Sequence, residues 1–478
     1  MFWSTFLLSP LQQSVYFVRG CMLGQAFRRN DMKLALGNML GRQSVPVWIV
    51  AASFGPCVLL SVGIRTEHVL IYFLVLPALL LLQLKPRTII AFKPVFAVLC
   101  LFTMAAVFMT LVTFLGGAPP RPVSEIVAHL ENYVQPIAIM LVMAAFVGPL
   151  SCRDGQTVFQ AACRCLLLFL LLNTVLAVVT CFVDTSFLTR HFIRPIGKEG
   201  FTVAAVAATM GRYTGIFGQP METGLIYSLG LLVWGYLVRL RKTFRLIDWV
   251  MLLVLLVGGF LSLSKVFLLG GVPLFLIYWL PAERLRRLVN WRLVVVGLLL
   301  TAVAWLVLQK WIGWATFVNY FTGRADRNLI WILTAGRLGE QGTKLALLFA
   351  ETWRRAPLCG FGFGANTVLG LPYDSAYAEF FAEGGAVGLG LYVLILASIG
   401  FATMKFYRLR AETRLLPFIF VLMVGAGLGA PVLTANRFSS ILWVLLLLIF
   451  STAVAALRER VGRPMANAVH RRFSGCES

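Results

Sequence analysis

Three carboxylates and a phenol lie close together near residue 380, in Asp374, Tyr377, Glu379 and Glu383. A carboxylate beside a substrate hydroxyl can act as a general base and remove its proton. If the stretch is helical, Asp374 and Tyr377 share one face and Glu379 lies on the next. We therefore predict Asp374 or Glu379 as a catalytic base and Tyr377 as a substrate contact. Two structural alternatives stay open: Asp374 as the helix N-cap, and Glu379 as an ion-pair partner of Arg337.

Basic residues form the second candidate set. Arg212 and Arg337 each follow a glycine at the edge of a loop. The planar guanidinium donates to two phosphate oxygens at once, so we predict that both arginines bind a phosphate-bearing substrate in the catalytic site. Lys265 begins an apolar segment, where it either contacts phosphate or only extends its amine to the membrane surface. Arg190 and Arg324 are further substrate-binding candidates, with pairing to neighbouring acids as the alternative.

The run from Gly360 to Gly364 alternates glycine with phenylalanine. It fits neither the dinucleotide-binding fingerprint nor the P-loop, because both need other spacings. Glycines in this pattern allow an unusual turn and the close approach of a ligand or another helix. Gly362 and Gly364 are therefore candidate substrate contacts.

The spacing of histidines and cysteines gives little support for a metal or disulfide framework. His68, His129, His191 and His470 are scattered, and none lies four residues from another. The 9 cysteines show no paired pattern. We predict no metal site and no cofactor.

The elements that must position these residues are membrane helices. Hydrophobic residues make up 59% of the chain, and its mean hydropathy is +0.86. Soluble domains contain only about 45–50% apolar residues, so we predict an all-α polytopic membrane protein. Its spans, about 12 by the length of apolar runs, are 44–63, 67–84, 94–116, 134–151, 163–183, 222–238, 247–263, 265–281, 293–313, 384–403, 415–435 and 438–457.

The distribution of charge gives the orientation of these spans. The net charge is +23, which in a soluble protein is typical of nucleic-acid binding. Here roughly two thirds of the lysines and arginines fall on one side of the predicted spans, as in cytoplasmic loops. We therefore predict that both termini are cytoplasmic and that nucleic acid is not a partner. Ionisable residues are nearly absent from the middle of the predicted spans, which argues against an ion-coupled transporter.

The predicted membrane domain covers 44–457 and carries two large outer loops, about 184–221 and 314–383. A cytoplasmic or interfacial segment, 1–43, precedes it, and a basic cytoplasmic tail, 458–478, follows it.

An amphipathic helix is predicted in the second outer loop, through Lys344–Arg355. It presents Leu345, Leu348, Phe349 and Trp353 at helical spacing. An apolar stripe of this kind indicates that the helix lies on the membrane domain.

Several of these motifs together resemble the O-antigen polymerase and O-antigen ligase superfamily. The similarity covers roughly residues 200–405 and rests on Gly211-Arg212 with Pro220, Leu263-Ser-Lys265, Gly336-Arg337, Pro357–Gly364 and Tyr373–Gly388. Members of the superfamily are multi-pass proteins of the bacterial inner membrane with two large periplasmic loops. The resemblance implies the same location here, with the active site facing the periplasm.

The activity that the resemblance implies is metal-independent glycosyl transfer with undecaprenyl pyrophosphate as the leaving group. A polymerase joins lipid-linked repeat units into O-antigen, capsule or exopolysaccharide, whereas a ligase moves the finished glycan onto lipid A-core. Ligases of the family typically carry a histidine in the second loop, where this chain has Asp374, so a polymerase is favoured. A flippase or transporter of lipid-linked sugars is the alternative from another class.

The resemblance also implies roles for individual residues and partners. Arg212 and Arg337 would hold the pyrophosphate with Lys265 in support, while Asp374, Tyr377 and Glu379 would face the acceptor. The expected partners are the undecaprenyl-pyrophosphate-linked oligosaccharide, membrane lipids and a co-polymerase that regulates chain length.

Overall fold

The computed structural model describes most of the chain between residues 44 and 474. The described residues are 44–59, 64–84, 93–116, 121–193, 203–241, 243, 245–279, 343–371, 373, 375–434 and 436–474. The predicted span 293–313 lies outside them, as does the predicted N-terminal segment 1–43.

The described part of the chain is almost entirely helical. In chain order its elements are α1 (Val45–Ala52), β1 (Cys57–Leu59), β2 (Ile64–Arg65), α2 (Thr66–Leu84), α3 (Lys93–Leu115), α4 (Val123–Phe146), α5 (Cys152–Thr180), α6 (Ser186–Thr189), α7 (Val203–Thr209), α8 (Pro220–Arg241), α9 (Leu246–Leu261), a π-helix (Val266–Gly271), α10 (Val272–Trp279), α11 (Lys344–Arg355), α12 (Ala365–Leu369), α13 (Ala376–Phe406), a 3₁₀ helix (Glu412–Leu415), α14 (Leu416–Gly427) and α15 (Asn436–Ser474).

Helices long and apolar enough to cross a membrane make up the body of this part of the chain. Among the described residues, 6 helices meet that condition, namely α3, α4, α5, α8, α13 and the Arg437–Arg460 part of α15. Shorter apolar helices cover Thr66–Leu82, Leu246–Leu261 and Val266–Trp279. The prediction of a helical, multi-pass membrane protein is confirmed.

The predicted span 44–63 does not form one continuous helix. Helix α1 ends at Ala52, and after Gly55 and Pro56 the chain forms an antiparallel pair in which Cys57 lies opposite Arg65. Pro56 has no main-chain N–H and cannot continue a helical hydrogen-bond ladder. The N–H of Cys57 donates instead to the carbonyl of His191, at 2.7 Å.

Two other helices begin earlier than their apolar runs. Helix α4 starts at Val123 rather than near 134, and α13 starts at Ala376 rather than near 384. Their first turns contain charged residues, which hydropathy assigns to loops. The helices extend through these turns because buried contacts with other elements accommodate the polar side chains. As a result, several ionisable residues that were predicted to lie in loops lie in helices.

Helix α8 lies at the centre of the bundle. Nearly all of its residues from Pro220 to Val238 are buried, as expected for a helix that is apolar on every side. Its polar groups find partners inside the protein: the Tyr227 hydroxyl lies 2.7 Å from the Thr174 hydroxyl, and the Trp234 indole N–H donates to the Asp248 carbonyl at 3.0 Å.

Helix α3 shows the opposite arrangement, with one face directed away from the protein. Its exposed residues, Leu101, Met104, Phe108, Leu111 and Leu115, follow a helical stripe. A continuous exposed apolar stripe of this length on a span is the surface that lipid tails cover.

The predicted amphipathic helix Lys344–Arg355 is confirmed as α11. Leu345 and Leu348 are buried, and the Phe349 ring stacks on Phe381 of α13 with a centroid separation of 5.1 Å. Trp353 stacks on the same ring at 6.3 Å but remains 65% exposed. Helix α11 therefore packs on α13, as the stripe predicts.

The ends of the helices gather in two groups. One group, which we call the glutamate end, contains the buried residues Glu67, Glu222, Glu379, Glu383 and Arg437. Contacts between different helices hold it together, such as the hydrogen bond from the Arg437 main-chain N–H to Glu222 Oε1 at 3.1 Å.

The opposite group of helix ends, the arginine end, contains Arg239, Arg241, Arg410 and Cys152. Arg241 pairs with Asp248 at 2.7 Å, and the Arg410 Nε donates to the Cys152 Sγ at 3.1 Å. Both ends bury carboxylates, since Asp248 is 3% exposed, but four of the five residues that define the glutamate end are glutamates, whereas arginines predominate at the arginine end.

Candidate functional site

Helix α13 is interrupted one third of the way along its length. Gly385 has φ 60° and ψ −154°, which is not a helical conformation. At such a break the last carbonyls of the first half and the first N–H groups of the second half lose their helical partners. The buried residues Glu379 and Glu383 lie in the half that precedes the break.

The glycine-containing segment 357–364 supplies the missing partners. Four main-chain hydrogen bonds join it to the break: Phe361 N–H to Ala382 O at 2.9 Å, Gly362 N–H to Glu383 O at 2.9 Å, Ala386 N–H to Pro357 O at 2.8 Å and Val387 N–H to Leu358 O at 3.1 Å. The segment thus bridges both halves of the helix and fixes the break in place.

The glycines of this segment are explained by packing. Gly360, Gly362 and Gly364 have φ values of 64°, 76° and 73°, in the left-handed region that side chains disfavour. A Cβ on Gly360 would lie 2.6 Å from the main chain at Glu383, and one on Gly362 would collide with the main chain of Thr110. Of the two predicted alternatives, ligand or helix, the structure shows close approach to helices, and it provides no evidence that Gly362 or Gly364 contacts a substrate.

The carbonyls of the same segment are held from the side by α3 and the residues before α4. Arg121 donates to the carbonyl of Phe361 at 2.8 Å and also to that of Phe363. Thr113 donates to the Phe361 carbonyl at 3.0 Å, and the Phe363 N–H donates to the Thr110 hydroxyl at 2.8 Å. Burial lowers the pKa of Arg121, although Tyr373 and Glu383 oppose this effect. These bonds make the segment a rigid part of the bundle.

The group we call the His–Glu cluster consists of His129, Glu379 and Glu383. The two glutamates lie one turn apart on α13, and both are buried, with 2% and 0% exposure. His129 reaches them from α4, where its Nδ1 lies 2.9 Å from Glu383 Oε1. One side-chain nitrogen or oxygen from each of the three residues lies within 4.8 Å of the others.

Hydroxyl groups surround this cluster. The Thr434 hydroxyl donates to Glu379 Oε2 at 2.8 Å, and the buried Tyr133 lies beside both glutamates. Tyr373 packs edge-on against the His129 ring with a centroid separation of 5.5 Å. Burial, together with the charge of Glu383, raises the pKa of Tyr373 well above its usual value. The Tyr373 hydroxyl therefore stays protonated near the cluster.

A second buried set, the Arg437 network, lies at the same end of the bundle. Its members are Arg65, Glu67, His68, Glu131, Glu222 and Arg437. Arg65 Nε lies 2.7 Å from Glu67 Oε1, and the Arg65 guanidinium lies 2.6 Å from His68 Nε2. His68 Nε2 lies 3.2 Å from Glu131 Oε1, and Arg437 donates to the Phe192 carbonyl at 2.7 Å. Arg437 also interacts electrostatically with Glu67 and Glu222. The network therefore pairs opposite charges.

The predicted residues Arg212 and Lys265 are brought close to one stretch of chain. The Tyr213 N–H donates to the Leu261 carbonyl at 2.8 Å, and Arg212 Nε donates to the Ser262 carbonyl at 3.3 Å. Lys265 follows three residues later and precedes the π-helix. The segment that carries Arg212 therefore contacts the segment that precedes Lys265, and a shared phosphate site stays a prediction.

The structure describes only some of the other predicted site residues. Tyr377 packs edge-on against Tyr392 at 5.0 Å, and Arg190 is exposed at the end of α6. Ser375, not Asp374, occupies the N-cap position of α13. Asp374, Arg324 and Arg337 lie outside the described residues.

Sequence reasoning missed His129 and the burial of Glu383. The spacing of Glu379 and Glu383 was a visible signal, because residues four apart share a helix face. His129 gave no local signal, since its partners lie on a distant helix. Glu379, Glu383 and His129 lie in the first third of helices long enough to span a membrane and ahead of the predicted spans, so the expectation that ionisable residues are nearly absent from the middle of the spans stays a prediction.

No protein-family model matches the sequence, and no curated protein matches it.

Proposed function

We propose that the chain is a glycosyltransferase of the bacterial inner membrane that polymerises undecaprenyl-pyrophosphate-linked repeat units at the periplasmic face. The products would be O-antigen, capsule or exopolysaccharide. The observation that carries the proposal is the His–Glu cluster, because it lies at a helix break built from two of the stretches in which the resemblance is found, Pro357–Gly364 and Tyr373–Gly388.

The position of the cluster in the bundle supports this proposal. The glutamate end is opposite the arginine end, and excess arginine is typical of the cytoplasmic side of a membrane protein. By that rule the glutamate end faces the periplasm. A polytopic arrangement of about 12 spans with cytoplasmic termini is part of the same proposal.

The chemistry proposed is attack of an acceptor hydroxyl on the anomeric carbon of the lipid-linked sugar. The bond to the pyrophosphate breaks, and the hydroxyl proton passes to a base. We assign the acceptor side to the His–Glu cluster, of which His129 is the most exposed member, at 14% of its side chain. Asp374 remains a candidate base from the sequence.

The leaving group requires positive charge at the other side of the reacting bond. Arg212, whose Nε donates to the carbonyl of Ser262, and Lys265, three residues after Ser262, would contact the pyrophosphate, with Arg337 assigned to it from the sequence. Guanidinium groups offset charge that develops on phosphate oxygens in the transition state.

A deletion strain tests the proposal through the glycans that it makes. Loss of a polymerase leaves single repeat units on the final acceptor and removes long chains. Loss of a ligase would instead leave long chains on undecaprenyl pyrophosphate and none on the acceptor, which would contradict the polymerase assignment.

A flippase or transporter of lipid-linked sugars is the second candidate, favoured by the buried ionisable residues inside helices. Such residues at membrane depth commonly mark a transport path. Loss of a flippase would leave single lipid-linked units on the cytoplasmic face, unmodified and untransferred. The same deletion strain therefore separates the two classes, once the lipid-linked sugars on each face of the membrane are measured with a glycosidase that cannot cross it.

A further inference from the structure

We infer that His129, Glu379 and Glu383 bind one divalent transition-metal ion, of the kind represented by Zn²⁺ or Mn²⁺. The inference rests on the arrangement of these three side chains and not on the proposed function; because a bound ion would occupy their lone pairs, Asp374 would then be the base of the proposed reaction. It runs against the sequence-based prediction of no metal site, which considered only the spacing of histidines along the chain.

The first observation is the geometry of the three donors. His129 Nδ1 and Glu383 Oε1 lie 2.9 Å apart. Neighbouring ligands on one ion, with bonds of about 2.1 Å, stand about 3.0–3.4 Å from each other. The full set fits within 4.8 Å, so binding requires the outermost pair of donors to approach each other by about 1–2 Å, which side-chain rotation can supply.

The second observation is the lack of hydrogen bonds at Glu383. Its side chain is 0% exposed, and among the described residues no contact of its carboxylate oxygens or of His129 Nδ1 has full hydrogen-bonding geometry, although the Tyr133 and Tyr373 hydroxyls lie close enough to interact with Glu383. The 2.9 Å contact between them is thus not directed as a hydrogen bond. A buried carboxylate oxygen without a donor is costly unless an ion or a proton satisfies it.

The third observation is the local balance of charge. Two carboxylates and one imidazole are buried together, and within the described part of the chain no lysine or arginine forms an ion pair with either glutamate. Thr434 contributes only a neutral hydrogen bond to Glu379. Buried charges are ordinarily paired or coordinate a metal, so the cluster lacks one positive charge.

The donor set favours a transition metal over Mg²⁺ or Ca²⁺. Imidazole is a preferred ligand of Zn²⁺ and its neighbours, and carboxylates are shared by Zn²⁺ and Mn²⁺. Three protein ligands also leave at least one coordination position for a water molecule or a substrate oxygen.

The experiment uses the full-length protein, purified in detergent and freed of metal with a chelator. Zn²⁺ and Mn²⁺ are added separately, unbound ion is removed, and the metal content per chain is measured by mass spectrometry. We expect about one ion per chain, and at least about tenfold weaker binding in His129→Gln, Glu379→Gln and Glu383→Gln.

Two matched controls separate the cluster from general effects. Glu131→Gln removes a carboxylate two residues from His129 on the same helix but in contact with His68, and His191→Gln removes an exposed histidine. Both should bind metal as the unmodified protein does. Gel filtration verifies that each variant is folded.

The outcomes are distinct from those that test glycosyl transfer. An unmodified protein that takes up no ion, or cluster variants that bind as tightly as the controls, would overturn the metal site while leaving the polymerase proposal intact. Metal uptake in a protein whose deletion leaves glycan chains unchanged would sustain the site and contradict the proposed function.

Discussion

The His–Glu cluster and the Arg437 network bury similar residues in the same end of the bundle but balance their charge differently. In the network, arginines lie against carboxylates, as in the 2.7 Å pair of Arg65 with Glu67. In the cluster, two carboxylates have one imidazole between them, and no arginine or lysine of the described residues pairs with them. The charge balance of the Arg437 network is that of a structural ion-pair network, whereas the charge balance of the His–Glu cluster is that of a ligand-binding site.

The physical reason for the contrast is the cost of burying charge. An ion pair offsets part of that cost, and removing one partner leaves the other charge buried and uncompensated. A cluster of like charge offsets nothing by itself, so it persists only where the surrounding structure holds it. Here the hydrogen bonds of segment 357–364 to α13 provide that support. The following substitutions test this difference.

The largest effect is expected at Arg437, which is 2% exposed. Arg437→Met leaves Glu222 without its positive partner and Glu67 with Arg65 alone, so we expect a loss of about 3–5 kcal/mol in the free energy of unfolding. Thermal unfolding in detergent measures it. Arg190→Met, at an exposed position, should change stability by less than about 0.5 kcal/mol. Equal stability of the two variants would show that the network does not hold the fold together.

Glu383→Gln should separate function from stability. In the metal-free protein it removes one of two buried like charges but also the partner of His129, so we expect unfolding stability to change little, while polymer synthesis falls by about two to three orders of magnitude. Glycan chain length in cells and thermal unfolding of the purified protein give the two readouts. A stable variant that still makes long chains would remove the cluster from the proposed reaction.

Gly360→Ala should disturb the support of the cluster. The added Cβ would lie 2.6 Å from the main chain at Glu383, and we expect a loss of about 1–3 kcal/mol in stability together with reduced polymer length.

Gly370→Ala is the matched control for that substitution. Gly370 has a similar φ of 64° but has nothing within 4 Å of its added Cβ. We therefore expect Gly370→Ala to lower the free energy of unfolding by only about 1 kcal/mol, the cost of a side chain in the left-handed backbone conformation. If both glycine variants lose the same stability, close contact at the helix break is not what requires Gly360.

Thr434→Val tests the smallest contribution, the neutral hydrogen bond to Glu379 at 2.8 Å. We expect a loss of about 0.5–1.5 kcal/mol in the free energy of unfolding, because a buried carboxylate oxygen loses its donor. The control is Thr189→Val, because the Thr189 hydroxyl donates to the nearby carbonyl of Thr185. This substitution should lower the free energy of unfolding by less. A larger loss in the control would show that the Thr434 bond contributes little.

The sequence by itself determined the class of protein and several of its parts. Apolar runs of membrane-spanning length require helices, because lipid offers the main chain no hydrogen-bond partners. The stripe on Lys344–Arg355 predicted a helix packed on the membrane domain, and α11 confirms it. The glycines at 360–364 predicted close approach of a helix or a ligand, and in the structure Gly360 approaches α13 while Gly362 approaches α3.

Only the tertiary structure decided where the ionisable residues meet. The contact of His129 with Glu383 joins α4 to α13, and local spacing carries no information about contacts between helices far apart in the chain. Hydropathy also placed the starts of α4 and α13 too late, because it scores a polar residue as exposed whether or not another helix pairs with it. Burial and charge balance depend on packing, so the cluster appears only once the helices are assembled.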